Sequence, residues 1–324
     1  MGFHIFLVGQ ENFETCVRHG VYGGASVDRI ATNADIIASF SAIKSGDTIL
    51  FYVTNSGIYG LWRATTAPFV DSTPVWKDAN QRYPYRVCFQ PIIRHFPRPI
   101  ELSDVLDLRD RGLIWTFDLS TLRRKNHNPI TEAEGRELIR LLLRNNPIFQ
   151  PVAPVEDPYP PQDTPLPIHL SVDSRGQLKF EGFLNAWLTR QFVESRLRHL
   201  VGEYRDVLNY VPTSFNTVMD LFLSHVTRVD TLDILHKYSC IELKTGEASE
   251  GELRQLIKYE NWLVRKLGGG DSEMVQPIMI ASSFSDALLA YVRGRKEIEN
   301  KTVRLLTYRV DAGRSVIHLD EVST

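Results

Sequence analysis

The residue types best suited to chemistry stand in the segment CIELK, residues 240–244. Its apolar members predict a buried strand, which Glu242 and Lys244 interrupt two positions apart. Because residues i and i+2 of a strand point to the same face, a carboxylate and an ammonium should project side by side from the end of a core strand. Phosphodiester hydrolysis needs such a pair: the carboxylate holds Mg²⁺, and the lysine positions or activates water and offsets charge at the phosphate.

A second carboxylate is required, because Mg²⁺ prefers several anionic oxygens as ligands. Asp220 interrupts the preceding apolar strand, VMDLFL, at a position where β-propensity disfavours aspartate. Asp233, in TLDIL, also has apolar neighbours and lies nine residues before Glu242. A tight hairpin through His236–Ser239 would make Asp233 the metal ligand instead. We favour Asp220, with Asp233 as the alternative metal ligand and Asp230 as a weaker third choice.

Helical periodicity adds further polar residues to this candidate centre. The segment Glu252–Leu267 predicts a long amphipathic helix, in which Gln255 and Tyr259 lie four residues apart and therefore share one face. The segment Phe180–His199 predicts another helix, with Glu181 close to its start.

This arrangement resembles the PD-(D/E)xK nuclease superfamily, and more closely its NucS-type endonucleases and the restriction-like nucleases near them. The family pattern is a strand carrying Asp, E-x-K on the next strand, and a following helix carrying Gln and Tyr; the match spans residues 175–310. The resemblance implies a restriction-endonuclease-like α/β sandwich with a central mixed sheet, Mg²⁺ or Mn²⁺ as cofactor and DNA as partner. It implies that the metal is held by Asp220 and Glu242, and that the catalytic set is completed by Lys244, Gln255, Tyr259 and Glu181.

The first 145 residues are richer in strands than in helices. Strands are predicted at Phe3–Val8, Asp47–Tyr52, Gly57–Ala64 and Tyr85–Ile93, and helices at Asp35–Ile43 and Glu132–Arg144. Thr131 followed by Glu134 has the pattern of a capping box for the second helix. Several strands with few helices favour a small barrel or a strongly curved sheet.

Three stretches of this half resemble the EVE domains, relatives of the YTH and PUA-like folds: HGVYGGAS (19–26), KSGDTILFYVTNSGIYGLWRATTAPFVDS (44–72) and YPYRVCFQPI (83–92). The resemblance implies a PUA-like curved β-barrel with flanking helices, and a pocket in which a modified base stacks between aromatic faces. Tyr22 stands where many relatives have the tryptophan of G-V-W-G. The candidate base-binding residues are Tyr22, Tyr59, Trp62, Trp76 and Trp115, with Asn33 as a polar contact.

The middle of the chain is rich in proline. Residues 146–168, NPIFQPVAPVEDPYPPQDTPLPI, have no periodicity, which predicts an extended, semi-rigid linker. Beyond it the pattern is α/β, with strands predicted at Asp206–Val211, Thr217–His225, Ser239–Lys244, Pro277–Ser282 and Val303–Val310, and a helix at Asp286–Arg295. We therefore expect two domains, one α+β and one α/β: a base-reading domain at 1–149, a linker at 150–168 and a nuclease domain at 169–324.

Composition limits the partners and the compartment. The net charge of −2 gives no global positive field, so nucleic-acid binding would depend on local clusters such as Arg123–Lys125. The three cysteines, Cys16, Cys88 and Cys240, are far apart, which disfavours a disulfide framework or a zinc site and fits a reducing cytoplasm. The N-terminus does not have the pattern of a signal peptide, and no apolar run approaches the ~18 residues that a membrane span requires.

Together these expectations favour a modification-dependent DNA endonuclease of the restriction type. Cutting both strands needs two such centres, which would suit a homodimer. Two other functions remain open. One is a structure-specific nuclease for mismatches, flaps or single strands, and the other is a non-catalytic module that binds RNA or DNA.

Overall fold

The computed structural model describes residues 2–77, 82–92, 94–117, 126–311, 313 and 315–323. The chain forms two compact units, Met1–Pro167 and Ile168–Thr324. The basic cluster Arg123–Lys125 lies outside the described residues. No helix of the described part of the chain is long and apolar enough to cross a membrane.

The first unit is built around a seven-stranded sheet. Its strands are β1 (Phe3–Val8), β2 (Val21–Gly24), β3 (Thr48–Val53), β4 (Gly57–Ala64), β5 (Phe69–Val70), β6 (Tyr85–Pro91) and β7 (His127–Ile130). They are ordered β2-β6-β4-β3-β1-β7 across the sheet, with β5 paired to β6. Only β1 and β3 pair in parallel among these described strands. The sheet curls into a half barrel, as expected for a PUA-like domain.

The helices described in this unit are α1 (Gln10–His19), α2 (Ile30–Phe40), α3 (Leu102–Asp110) and α4 (Glu132–Asn145). The capping box predicted at the start of α4 is confirmed, because Thr131 and Glu134 exchange side-chain and backbone hydrogen bonds. The buried Glu134 carboxylate also accepts the backbone N–H groups of Trp115 at 2.7 Å and Thr116 at 2.8 Å. These bonds hold the start of α4 to residues 115–116. The apolar core of this unit includes Phe3, Leu50, Ile58, Leu138 and Leu142.

The proline-rich segment packs on the first unit. Val70 donates its backbone N–H to the Thr164 carbonyl at 2.8 Å. The Tyr159 hydroxyl donates to Asp71 at 2.5 Å and accepts from the buried guanidinium of Arg86, which also lies over the Tyr159 ring. The segment is therefore part of the first unit, whose boundary falls at Pro167, and it is extended because proline has no N–H to give to a helix or sheet interior.

The second unit contains a six-stranded mixed sheet ordered β15-β14-β12-β10-β9-β8. Its strands are β8 (Asp206–Pro212), β9 (Val218–Val229), β10 (Leu232–Leu243), β12 (Val275–Ala281), β14 (Arg304–Asp311) and β15 (Val316–Glu321), while β11 (Glu247–Ala248) pairs separately with β13 (Ser283–Phe284). Both β8 and β10 pair with β9 in antiparallel fashion, and β12 joins β10 and β14 in parallel. The change from antiparallel to parallel pairing occurs at β10, the strand that carries E-x-K.

The described helices of the second unit are α5 (Glu181–Val193), α6 (Arg198–Val201), α7 (Glu250–Lys266) and α8 (Asp286–Glu299). Helix α7 begins with a capping box, in which Ser249 and Glu252 exchange hydrogen bonds. Its buried stripe, Leu253, Leu256, Tyr259 and Leu263, has the spacing of one helical face. This stripe packs on the sheet at β10 and β12 and so brings Gln255 and Tyr259 near the end of β10.

The cysteines are buried and unbonded to each other. Burial raises the pKa of Cys16 to about 12 and that of Cys88 to about 11, and it raises the pKa of Cys240 well above its usual range. Each sulfur therefore stays protonated at neutral pH and behaves as a small apolar group.

Candidate functional site

The two predicted acidic ligands lie on neighbouring strands. The antiparallel register between β9 and β10 runs to the pair Leu221 and Ile241, and the residues just beyond are Asp220 and Glu242. Asp220 Oδ2 accepts the backbone N–H of Leu243 at 2.8 Å. The carboxylate of one strand is thus held by the main chain of the other.

Lys244 lies on the same face as Glu242, as the two-residue period predicts. Its Nζ is 3.6 Å from Glu242 Oε1 and 3.3 Å from Glu181 Oε2, at the start of α5. Glu242 is only 2% exposed, whereas the Glu181 side chain is 40% exposed. The lysine therefore bridges a buried carboxylate and one that faces solvent.

Helix α7 supplies the other side of the centre. Gln255 donates its side-chain N–H to Glu242 Oε1 at 3.2 Å and to the Tyr259 hydroxyl at 2.6 Å. Tyr259 in turn donates to the backbone carbonyl of Val218 at 2.9 Å. This chain of hydrogen bonds links the helix to the start of β9 and orients Glu242 from one side.

The charged groups of the cluster shift one another's pKa values. Burial, together with repulsion from Glu242 and Glu181, raises the pKa of Asp220 well above its usual range. Burial also raises the pKa of Glu242 to about 7, although Lys244 acts in the opposite direction. For Lys244, burial alone would lower the pKa, but the surrounding carboxylates outweigh it and raise the pKa above its ordinary value. Crowded carboxylates of this kind are stabilised in their ionised form by a cation.

The donor set fits a divalent metal ion. Glu242 Oε2 is buried and has no hydrogen-bond partner within the described part of the chain. Such an orphaned carboxylate oxygen is costly unless something positive meets it. Among the described residues, no group of three or more His, Cys, Asp or Glu is arranged to hold a metal. Two carboxylates still suit Mg²⁺, because this ion commonly keeps several waters and uses one or two carboxylates together with substrate phosphate oxygens.

The alternative ligand Asp233 lies elsewhere. It is exposed, on the same strand as Glu242, and pairs with Arg228 across the β9–β10 hairpin. Nine residues of extended strand separate the two carboxylates by about 30 Å. The hairpin turns at Asp230, which adopts a left-handed conformation with φ 57°, and does not turn at His236–Ser239. Asp233 and Asp230 are therefore both excluded from this cluster.

Asn185 is a site residue that the sequence analysis missed. It is buried in α5, one helical turn after Glu181, and its Nδ2 donates to the backbone carbonyl of Asp220 at 3.1 Å. Its Oδ1 accepts from Thr189 at 3.0 Å and from Asn209 at 3.4 Å. The available signal was an asparagine among the mainly apolar residues predicted for α5.

In the first unit, Tyr22 and Trp76 line a cavity of about 200 Å³ together with Asn12, Cys16, Tyr83 and Asn126. The Tyr22 ring stacks on Phe6 with centroids 4.1 Å apart, and its hydroxyl donates to the Asn126 carbonyl. Gly23 makes room for the tryptophan, since a Cβ at this position would lie 2.5 Å from the Trp76 ring. The cavity thus has two aromatic walls with fixed positions.

The predicted aromatic set is divided between two cavities. Tyr59 and Trp62 line a larger one, of about 460 Å³, with Phe13, Arg94, Phe96 and residues 152–156 of the proline-rich segment. Asn33 and Trp115 line neither cavity. The Asn33 amide instead donates to the Tyr85 hydroxyl at 2.6 Å, and Trp115 is held through its backbone by Glu134. A single pocket built from all six predicted residues is therefore wrong.

Residues 35–141 match the family model of the EVE domain. This stretch is an EVE domain. It runs from α2 through β7 into α4, so Trp76 and Tyr83 lie inside the matched EVE residues and Tyr22 precedes them.

Several solved structures resemble parts of the chain. A protein from Pseudomonas putida is 21% identical with a TM-score of 0.31, over 44% of this chain and 99% of that one. An EndoMS–double-stranded DNA complex is 17% identical with a TM-score of 0.26, over 36% of this chain and 42% of that one. A repair endonuclease from Pyrococcus abyssi is 18% identical with a TM-score of 0.25, over 35% of this chain and 45% of that one. The chain spans less than half the length of these two endonuclease structures, and no curated protein sequence matches it.

Proposed function

We propose that the chain is a modification-dependent DNA endonuclease, in which the EVE domain reads a modified base and the second unit hydrolyses the phosphodiester backbone. The observation that carries the catalytic half is the buried, unpartnered Oε2 of Glu242. It stands in a cluster with Asp220, Lys244 and Gln255, at the point where two strands and a helix meet. A structural ion pair would satisfy its own oxygens, whereas this cluster leaves one of them available to a ligand.

In this mechanism Asp220 and Glu242 would hold Mg²⁺ or Mn²⁺. The ion, when bound, supplies positive charge at the scissile phosphate. Lys244 keeps its proton at neutral pH because of its carboxylate neighbours, so it holds the attacking water by donating a hydrogen bond and offsets charge on the phosphate. Gln255 fixes the rotamer of Glu242 through its hydrogen bond, and Tyr259 fixes Gln255 in the same way.

The base-reading half of the proposal rests on the smaller cavity. Trp76 and Tyr83 supply aromatic surface at this cavity, and Asn12 and Asn126 supply polar groups. Tyr22 is 2% exposed and forms part of the wall, with its ring packed against Phe6 and Phe40. A flipped base can stack on such rings while its edge is read by hydrogen bonds. The walls are preorganised, because Phe6 supports Tyr22 and Gly23 leaves room for Trp76.

Each chain contributes one proposed catalytic centre, so cutting both DNA strands at once would require two chains.

The test is cleavage of matched plasmids, unmodified or carrying methylated cytosine, hydroxymethylated cytosine or methylated adenine. We expect cutting only of modified DNA, with Mg²⁺ or Mn²⁺ and not with EDTA. The variant Asp220→Asn keeps an acceptor for the Leu243 N–H but removes charge. It should lose about a hundredfold or more of the rate, as the loss of several kcal/mol of charge stabilisation requires. The matched control is Asp233→Asn, an exposed aspartate on the neighbouring strand, which should cut at the wild-type rate.

Thermal melting gives a second readout that does not depend on turnover. Mg²⁺ or Mn²⁺ should raise the melting temperature of the wild type and of Asp233→Asn but not that of Asp220→Asn, since only a bound ligand stabilises the folded state. An Asp220→Asn protein that cuts like the wild type would overturn the catalytic assignment. Equal cutting of modified and unmodified DNA would leave a nuclease and remove the base-reading half of the proposal.

A further inference from the structure

Helix α7 carries a row of exposed, mostly cationic residues on its outer side. Arg254, Lys258, Asn261 and Arg265 are all exposed, and their spacing of four, three and four residues places them on one helical face. Between Arg254 and the end of the helix, the one acidic residue is Glu260, which is buried and paired with Arg295. Arg254 pairs with Glu250 at 3.0 Å, but both side chains are largely exposed, so the pair is weak and exchangeable.

An aromatic ledge lies next to this row. Gln255, Tyr259 and Trp262 form the adjacent helical stripe, about 100° around the axis. Phe215, in the loop joining β8 and β9, stacks on Tyr259 with centroids 5.9 Å apart, and meets Trp262 edge-on at 6.4 Å. Phe215 is nevertheless 36% exposed, so one part of its ring is packed and the remainder faces solvent.

The ledge is connected directly to the candidate catalytic centre. The Tyr259 ring that supports Phe215 carries the hydroxyl that accepts from Gln255, and Gln255 also donates to Glu242. One edge of the centre therefore carries the partly exposed ring of Phe215, and beside the helical stripe that supports this ring runs a row of cations. Proteins that bind unpaired strands combine these two elements, because phosphates follow the cations while bases stack on the rings.

We infer that the exposed face of α7 and Phe215 form a track for one DNA strand, with a base stacked on Phe215 beside the cleaved phosphate. This inference rests on the proposed nuclease function and specifies its substrate as DNA that is unstacked at the cutting position. The local row of cations matters because the chain as a whole has a net charge of −2 and provides no general attraction for phosphate.

The test measures equilibrium binding of the full-length protein to a fluorescent single-stranded oligonucleotide by fluorescence anisotropy. EDTA is present so that no cutting occurs. A single abasic position is moved along the strand. Loss of the base that stacks on Phe215 should weaken wild-type binding by about fivefold to a hundredfold. Phe215→Ala should weaken binding to intact DNA by a similar factor and be insensitive to that abasic position, whereas Phe215→Trp should restore both affinity and sensitivity.

Two controls separate this stack from general surface effects. Leu232 lies in the β9–β10 hairpin, remote from the centre, and its side chain is 63% exposed. Leu232→Ala removes this apolar side chain and should leave binding unchanged. Lys258→Ala should weaken binding to every oligonucleotide alike. It should also reduce the steepness of log K against log salt by about 0.7, the contribution of one phosphate contact to a single strand. Lys296 is exposed on α8, and Lys296→Ala should change neither the affinity nor the salt dependence of binding.

The outcomes are distinguishable from those of the nuclease test. If the wild type and Phe215→Ala respond alike at every abasic position, no base stacks on Phe215 and the inference is overturned, even for an active nuclease. If the base and Phe215 are coupled but no DNA is cut under any condition, the strand track stands and the proposed catalysis fails. Melting temperatures of the variants confirm that each protein is folded in the assay.

Discussion

His225 is a residue whose charge state is set by its burial. It lies in β9 at 3% exposure, between the Glu203 carbonyl, 3.0 Å from Nδ1, and the Ser239 hydroxyl, 2.7 Å from Nε2. A neutral ring with its proton on Nδ1 donates to the carbonyl and accepts from the hydroxyl. Burial lowers the pKa of this ring to about 4. Folding therefore excludes a proton that the unfolded chain binds.

This exclusion predicts an acid-sensitive second unit. The unfolded histidine titrates near pH 6.5, so the stabilisation is fully present above that pH and is lost as the pH falls towards 4, by up to about 3 kcal/mol. Urea unfolding of wild type and His225→Gln between about pH 4 and 7 measures it. The stability of the wild type should fall more steeply with acid than that of the variant. Parallel pH profiles would contradict the assignment.

Some residues of the candidate centre could be predicted from their spacing, and others could not. The two-residue period of E-x-K and the four-residue period of Gln255 and Tyr259 are local, so the sequence predicts that each pair shares a face. Asp220 and Asp233 could not be separated, because both interrupt apolar strands and the position of the hairpin turn decides between them. Phe215 gave no signal, since its exposure depends on a loop whose contacts are with a distant helix.

Gly135 and Gly294 lie inside described helices and have opposite surroundings. At Gly294, in α8, an added Cβ would meet nothing within 4 Å, whereas at Gly135, in α4, it would lie 2.3 Å from the Phe3 ring. Glycine costs about 0.5–1 kcal/mol relative to alanine in a helix interior. The same substitution should therefore stabilise one helix and disrupt the packing of the other.

We expect Gly294→Ala to raise the free energy of unfolding by about 0.5–1 kcal/mol, and Gly135→Ala to lower it by about 1–3 kcal/mol through overpacking. Chemical denaturation of the two variants beside the wild type measures both changes. The pair serves as its own control, because each variant makes the same chemical change inside a helix. Two changes of the same sign would show that helix propensity or packing alone dominates both positions.

Helices whose start carries a capping signal were predicted well from the sequence. Helix α4 begins after Thr131 with a complete capping box, and its start was predicted correctly. Helices α1 and α3 begin after Gly9 and Glu101, which make no side-chain cap bond, and neither helix was predicted. Helix α2 likewise starts after an uncapped Arg29, and its predicted start was five residues late. Tertiary packing stabilises these starts, and the local sequence does not show it.

At the scale of the whole molecule, the packing of the proline-rich segment determines where the chain can be cut to give a stable first unit. Arg86 is buried with Tyr159 as one of its partners, so a cut before residue 150 leaves this charge without the hydroxyl and ring that meet it. Removing a partner from a buried charge costs about 3–5 kcal/mol. A fragment 1–167 should therefore unfold cooperatively, while a fragment 1–149 should be less stable by about 3 kcal/mol or more.

Thermal and urea unfolding of the two fragments measures this difference. In the full chain, Tyr159→Phe keeps the ring over Arg86 and removes only the hydroxyl, so it should produce a smaller loss than the truncation. If both fragments unfold at the same denaturant concentration, the segment contributes nothing to the first unit. The sequence could not reveal this packing, since Tyr159 lies 73 residues from Arg86 and 88 residues from Asp71.

The three buried cysteines make the native chain a silent background for thiol labelling. Maleimides and iodoacetamides react with accessible thiolates, and these sulfurs are enclosed and protonated at neutral pH. A cysteine introduced at exposed Ser214, beside Phe215, would then be the group that takes up a fluorophore or spin label. One dye in the β8–β9 loop would report binding of the proposed DNA strand in real time, and no native cysteine would have to be replaced.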